Sequence, residues 1–423
     1  MSQPDTIPTA SKRPRFFYGY VVLGAALAIW IFAWGTNQAF GVLFKPAIED
    51  LGWTRAQLSG AFSLGSIVMA LMGAVTGRLS DRFGPRLIIT AFGAFLGIGY
   101  LVMSSVSAVW QAYVAWGILV GIGASVVGPA LMSTLSRWFH KRRGLAIGIV
   151  STGAGIGGMI FSPVSAWLAL TYSWRFAWVI LGIISLLIMV SSGLLLKRSP
   201  AEAGQLPDGA ATIKLPETKT IQSNSPVQGI SLSQALLTRQ FWLLCAILLC
   251  FGLNRGIMVH IAPHVNDIGY SLTSAANVMA VNAAVSIIGR LVMGQVADMI
   301  GGRRAFIISF TLMPIAFLVI GMGRELWTLY LFAVLYGFAW GGLAVLRFST
   351  AGELFGVGSL GAIMGIVEFF ATGGSGITPI IAGHLFDING NYDLTFLIFG
   401  IVGLIGFVLS WLITPVKLSD NKK

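Results

Sequence analysis

The chain has 423 residues, of which 56% are hydrophobic and 10% charged, and its formal net charge is +12. Soluble domains carry about a quarter of their residues as charges, so this composition excludes an ordinary globular protein. The two cysteines, Cys245 and Cys250, lie inside one apolar stretch and supply neither a disulfide framework nor metal-ligand spacing.

A helix needs about 20 mostly apolar residues to cross a bilayer. Twelve such stretches are predicted, at 18–42, 56–79, 86–107, 110–135, 144–168, 175–197, 239–262, 271–297, 303–322, 326–350, 357–383 and 392–415. Lys12, Arg13 and Arg15 precede the first. It is too long for the apolar core of a signal peptide and more spans follow, so a retained span is expected. The stretch 198–238 is rich in Pro, Ser, Thr, Gln and Gly and reads as a linker between two six-helix halves. The expected organisation is a cytoplasmic tail at 1–17, bundles at 18–197 and 239–415, the linker at 198–238 and a tail at 416–423.

Lys and Arg are unevenly placed. With both termini in the cytoplasm, cytoplasmic segments hold twenty of the 27, among them Arg78, Arg82, Arg86, Arg137, Lys141, Arg142, Arg143, Arg303 and Arg304. The outer segments hold four, Lys45, Arg55, Arg175 and Arg324, and three fall inside spans. Basic residues flank spans on the cytoplasmic side. This bias sets the orientation and explains the net charge as topology and lipid-headgroup contact, so no nucleic-acid partner is expected.

The loop after the second span reads Gly77-Arg78-Leu79-Ser80-Asp81-Arg82-Phe83-Gly84-Pro85-Arg86. A second copy, Gly294 to Arg304, follows the eighth span 217 residues later, with Asp298 and Arg303 retained and Met299 in the place of Arg82. A duplicated six-helix unit is the mark of repeat-built transporters. Asp81 is expected to accept hydrogen bonds from a neighbouring helix N-terminus. The arginines are expected to hold the cytoplasmic faces together through charge-assisted bonds.

Charged residues within spans are costly and mark function. The seventh span carries Arg255 after Asn254, which reads as a second anion contact or as a packing or gating residue. His260 and His264 near its outer end have no third ligand partner for a metal; a pH-sensitive outer gate or a polar helix end remains. The eighth span carries Arg290, whose planar fork suits a carboxylate; the alternative is a structural partner, Glu368 or a carbonyl. Arg347, in the tenth span, reads as a substrate contact or as a side chain reaching for the headgroups. Glu368 is the only acid set inside a predicted span. A carboxyl balanced between burial and a nearby cation can load and release a proton; a fixed salt bridge is the other reading. Asn282 and Tyr336 are expected on the substrate path, with Trp30, Trp34, Phe40, Trp340, Phe369 and Phe370 as aromatic lining. Gly373-Gly374-Ser375-Gly376 before Pro379 lacks the ending of a phosphate loop and reads as close helix packing.

The Gly77 loop resembles the signature loop of the major facilitator superfamily. Trp138-Phe139-His140-Lys141-Arg142-Arg143-Gly144-Leu145-Ala146-Ile147-Gly148 is similar to the signature that opens the fifth span in the monocarboxylate transporter family, with Gly153, Gly157 and Gly158 continuing the pattern. Leu51-Gly52-Trp53-Thr54-Arg55 resembles bacterial members, including the oxalate/formate exchanger branch. The resemblance implies an all-α fold of twelve transmembrane helices in two pseudo-symmetric six-helix bundles. It carries a substrate arginine over to Arg290. It aligns Gln38 with a first-span lysine of animal lactate carriers, and Ser286 with their acidic residue one turn before the arginine.

Together these readings describe a secondary transporter and not an enzyme, since no nucleophile–base pair or metal cluster is evident. The expected substrate is a small monocarboxylate of the lactate and pyruvate kind, carried with H+ by alternating access and without other cofactors. The expected setting is a monomer among the lipids of a bacterial inner membrane. Proton-independent anion exchange, drug efflux and a non-transporting sensor are the alternatives.

Overall fold

A computed structural model describes residues 16–139, 142–209, 231–356 and 360–414. Lys141, the terminal tails and most of the predicted linker lie outside the described residues. Among the described residues, twelve helices are long and apolar enough to cross a membrane. In the first half they are α1 (Gly19–Leu51), α2 (Arg55–Phe83), α3 (Pro85–Ser104), α4 (Val109–Trp138), α5 (Arg143–Thr171) and α6 (Trp174–Leu195). In the second they are α7 (Arg239–Asp267), α8 (Leu272–Ile300), α9 (Gly302–Met322), α10 (Leu326–Phe355), α11 (Leu360–Asn389) and α12 (Asp393–Leu412).

Local chemistry sets the helix ends. Thr54 and Gln57 form a reciprocal capping box that starts α2, satisfying two backbone N–H groups that helix geometry leaves free. Ser173, Thr238 and Ser271 cap α6, α7 and α8 in the same way from the side-chain oxygen. Gly84 (φ 89°, ψ 153°) turns the chain from α2 into α3, and Gly301 (φ 89°, ψ 147°) turns it from α8 into α9. Only glycine occupies this backbone region without strain. The two turns are also 217 residues apart, so the sequence repeat is a repeat of backbone geometry.

Several helices run beyond their apolar stretches. The first apolar run ends at 42, yet α1 continues to Leu51 through Lys45, Glu49 and Asp50. Helices α7 and α11 likewise extend to Asp267 and Asn389. Hydropathy marks the hydrocarbon, whereas backbone hydrogen bonds carry the helix on into the interface. Lys45, read as a loop residue, therefore stands on the end of α1.

Two hydrophobic cores form, one mainly from α1–α6 with Val259 of α7, and one mainly from α7–α12 with Val42 of α1 and Ala166 of α5. In the first, the rings of Trp116, Tyr100 and Trp178 pack with centres within 5.6 Å of one another. The α4 segment that carries Trp116, Tyr113–Val120, is wound as a π-helix. Glycines allow the closest helix contacts, as expected where small residues replace hydrophobic driving force. A Cβ on Gly157 of α5 would lie 2.2 Å from the Ile31 carbonyl and 2.7 Å from the Gly35 Cα of α1. The segment after α6 packs on the first half. The Gln205 amide donates to the Phe16 carbonyl (2.8 Å) and accepts from the Tyr18 N–H (2.9 Å), while the Trp138 indole donates to the Lys197 carbonyl (2.9 Å).

Candidate functional site

The charged span residues lie on α7, α8, α10 and α11 of the second half, and two of them, Arg255 and Arg290, reach residues of the first. The Arg290 side chain, on α8, is buried at 7% exposure. Its Nη1 donates to the Ser151 carbonyl of α5 at 2.9 Å, and the guanidinium lies 5.1 Å from the Trp340 ring centre on α10. No carboxylate pairs with it among the described residues. Glu368 pairs instead with Arg347, through Nη1–Oε2 at 3.2 Å and Nε–Oε1 at 3.1 Å. The second approach is a charge contact without hydrogen-bond geometry, since both its atoms lack a hydrogen-bond partner. Arg347 therefore does not reach for the headgroups; a carboxylate on the facing helix satisfies it closer at hand.

Arg255 sits midway along α7, half-buried, with its guanidinium 5.2 Å from the ring centre of Trp34 on α1. It has no hydrogen bond or ion pair among the described residues. The charges of Arg347 and Glu368 act on it, and that of Arg347 acts on Arg290 as well. Arg347 thus links Arg255 and Arg290 electrostatically, and the four groups carry three positive charges against one negative. The surplus is positive, and in a medium of low dielectric it attracts anions strongly.

The other expected path residues divide. Gln38 is half-buried, donates to the Ala154 carbonyl at 3.3 Å and lies over Gly158, whose absent side chain leaves room for the amide. Asn282 ties α8 to α10 through the Ala333 carbonyl at 3.3 Å. Tyr336 is fully buried and donates to the Asn254 carbonyl at 2.9 Å. That places it behind the site, bracing the α7 turn that carries Arg255, and not on the wall. Phe40 is also displaced, packed 4.2 Å from Trp116 in the first core, and Phe369 is exposed. Trp30, Trp34 and Trp340 remain half-buried near the middle of their helices.

The face opposite the arginine-rich loops is sealed by a network centred on Arg55, which is 6% exposed. Its Nη2 pairs with Asp267 of α7 (2.7 Å) and its Nη1 donates to the Tyr392 hydroxyl (2.6 Å), while the guanidinium lies 3.7 Å from the Phe386 ring centre. Lys45 joins the same Asp267 at 2.9 Å. The Asp387 carboxylate of α11 accepts from the N–H groups of Arg55 and Ala56 (3.0 and 2.9 Å), an anion at a helix N-terminus. Burial holds the Tyr392 phenol above its usual pKa, so it stays protonated. His260 donates from Nε2 to the Pro379 carbonyl, which can only accept, and Nδ1 takes the Tyr392 proton (2.8 Å each). The histidine is thus a bonded strut. Among the described residues no group of three or more metal-ligating side chains occurs. Apolar runs hid Asp267 and Asp387, which the longer helices bring into play.

On the basic face no hydrogen bond or ion pair joins the halves among the described residues. Asp81 pairs with Arg137 of α4 at 2.6 Å, inside its own half, where a neighbouring helix N-terminus had been expected. Arg198 donates to the Asp81 carbonyl. Gly77 packs against Pro129, while Arg82, Arg86, Arg142, Arg143 and Asp298 are exposed. In the second half it is Glu353, unremarked in the sequence, that caps α9 through the Gly302 N–H at 2.7 Å, and Arg303 donates to the Trp411 carbonyl at 2.8 Å. Apart from Arg290–Ser151, every hydrogen bond and ion pair joining the halves among the described residues lies on the opposite face.

Known proteins share this architecture. A bacterial homologue of the human lysosomal transporter Spinster, in an inward-facing and occupied conformation, superposes with a TM-score of 0.75 at 16% identity, covering 95% of this chain and 97% of that one. By sequence the chain is similar to monocarboxylate transporter 13 of Rattus norvegicus, 26% identical over 94% of this chain and 89% of the relative. Monocarboxylate transporter 11 of Homo sapiens is 29% identical over 96% of this chain and 84% of the relative. The Major Facilitator Superfamily is matched over residues 25–308 and 244–423, and the chain belongs to that superfamily of membrane transporters.

Proposed function

We propose that the protein is a secondary active transporter of small monocarboxylates such as lactate and pyruvate, driven by a proton gradient. Alternating access between its two halves would move the substrate. The observation that carries this reading is the setting of Arg290, a buried guanidinium between the halves whose one acceptor among the described residues is a neutral carbonyl. A planar cation of this kind binds a carboxylate through paired hydrogen bonds. The named relatives, monocarboxylate transporters aligned along nearly the whole chain, support the same substrate class. With the basic face in the cytoplasm of a bacterial inner membrane, the sealed face is external and the conformation is inward-facing.

Glu368 is the coupling group in this reading. Protonation removes its charge, releases Arg347 and raises the positive surplus that holds the anion. Deprotonation restores the ion pair and weakens that hold. Proton and substrate then favour each other's binding reciprocally. The two contacts between Glu368 and Arg347 also suit a fixed bridge, which would make the protein a proton-independent exchanger.

Labelled lactate uptake into liposomes, with and without an inward proton gradient, tests both. Gradient-driven uptake that Arg290→Ala abolishes, and that Glu368→Gln converts to exchange alone, is the expected result. Uptake indifferent to the gradient but dependent on internal carboxylate would assign exchange. No carboxylate flux in the wild type would overturn the substrate class.

A further inference from the structure

At the edge of the basic face, where α8 turns into α9 and α12 ends, a groove of about 760 Å³ is lined by Ile300, Arg303, Arg304, Ile307, Ile308 and Trp411. Its walls are apolar apart from the two arginines. Neither arginine pairs with a carboxylate among the described residues, and the nearby Glu353 carboxylate is held by the Gly302 N–H at 2.7 Å. Arg303 uses one donor on the Trp411 carbonyl (2.8 Å), which fixes its guanidinium at the end of α12, and its Nε is buried with no acceptor. Arg304 is exposed and has no hydrogen bond or ion pair among the described residues. Both stand in the first turn of α9, where the helix dipole disfavours cations. Ile300, Ile308 and Trp411 are exposed although they are large and apolar. The exposed apolar surface continues away from the groove along both helices, through Ile315 and Leu318 of α9 and Leu404, Ile405 and Val408 of α12. The two helices pack together where Gly403 and Gly406 meet Pro314 and Phe310. At the 217-residue offset of the repeat, the first half has Arg86, Leu87 and Leu194 in the places of Arg303, Arg304 and Trp411. The paired cations and the aromatic are thus particular to the second half.

We propose that this groove binds an anionic phospholipid of the leaflet that meets the basic face, its phosphate held by Arg303 and Arg304 and an acyl chain laid along Ile307, Ile308 and Trp411. Unpaired cations beside an exposed apolar wall fit one occupant that carries both an anion and a hydrocarbon chain. Basic pockets between spans bind anionic headgroups, the guanidinium fork matches a phosphate, and tryptophan suits headgroup depth. A zwitterionic lipid brings the same chain, but its own cation offsets the phosphate. A small soluble anion gains nothing from the apolar wall. The groove lies wholly within the second half, so this inference is independent of the substrate reading at Arg290.

The test is native mass spectrometry of the purified full chain in detergent, with phosphatidylglycerol, phosphatidylcholine or glycerol 3-phosphate added. Arg304→Gln is the first variant, because Arg304 has no partner in the fold to lose. Arg303→Gln/Arg304→Gln removes both cations, and Arg86→Gln is the control at the repeated position. Wild type is expected to hold phosphatidylglycerol about tenfold more tightly than phosphatidylcholine. Arg304→Gln should weaken phosphatidylglycerol about fivefold and the double variant about thirtyfold, one charge at a time, with phosphatidylcholine unchanged. Equal retention of the two lipids by wild type would overturn the inference. So would phosphatidylglycerol binding that Arg304→Gln leaves intact, or that Arg86→Gln weakens as much. Displacement of the lipid by an equal concentration of glycerol 3-phosphate would make this a site for soluble anions. A dimer that Arg304→Gln dissociates would make the groove a contact between copies of the chain. Either result overturns the lipid assignment.

Discussion

At the residue scale, the intramembrane charges were legible because hydrocarbon makes each of them exceptional. Their pairings were not. Sequence separation does not reveal that Glu368 meets Arg347 on α10 and leaves Arg290 on α8 with a carbonyl. Arg290→Lys keeps the charge and loses the fork, so lactate affinity in a binding titration should fall about ten- to a hundredfold, with Arg290→Ala lower still. For the ion pair, a double-mutant cycle in thermal unfolding separates the two roles of Glu368. Arg347→Gln should cost about 1–3 kcal/mol by stranding the carboxylate, and adding Glu368→Gln should recover much of it. No recovery would mean that Glu368 has another partner in the folded protein.

Among the elements, the glycines of α5 carry the most information. Gly153, Gly157 and Gly158 all face α1, against Ile31, Gly35 and Gln38, whereas Gly155 faces Ile287 of α8 in the other half. One helix thus packs on its own half along one side and on the other half along the other. Gly157→Leu should therefore abolish folded, monodisperse protein in size-exclusion chromatography. Gly148→Leu, at a position with nothing within 4 Å, should leave the profile unchanged. Gly84→Ala and Gly301→Ala should each lower stability by about 1–3 kcal/mol in thermal unfolding, the cost of a side chain in this backbone region. Helix existence and order were legible from apolar length. The final turns of α1, α7 and α11 were not, because those turns are polar.

For the whole molecule, the asymmetry between the two faces is the main feature. The Arg55 network joins α1 and α2 to α7, α11 and the start of α12, and it must come apart if the sealed face is to open. Arg55→Ala removes the hub and should shift the population toward the opposite opening. Spin labels at the exposed Tyr172 and Ile388 should report longer distances in the variant, and labels at Phe83 and Met299 shorter ones. Unchanged distances in both pairs would show that apolar contact alone holds the seal.

The sequence by itself determined the class of this protein: twelve apolar lengths, a duplicated loop and a one-sided distribution of basic residues are all local or periodic properties. It also singled out the few charges whose burial had to be explained. Only the tertiary structure decided which of those charges neutralise one another, which remain available to an anion and which face is closed. Those outcomes depend on distances between helices far apart in the chain. An ion pair of about 3 Å or a glycine contact of that size is set by packing, and no spacing along the sequence encodes it.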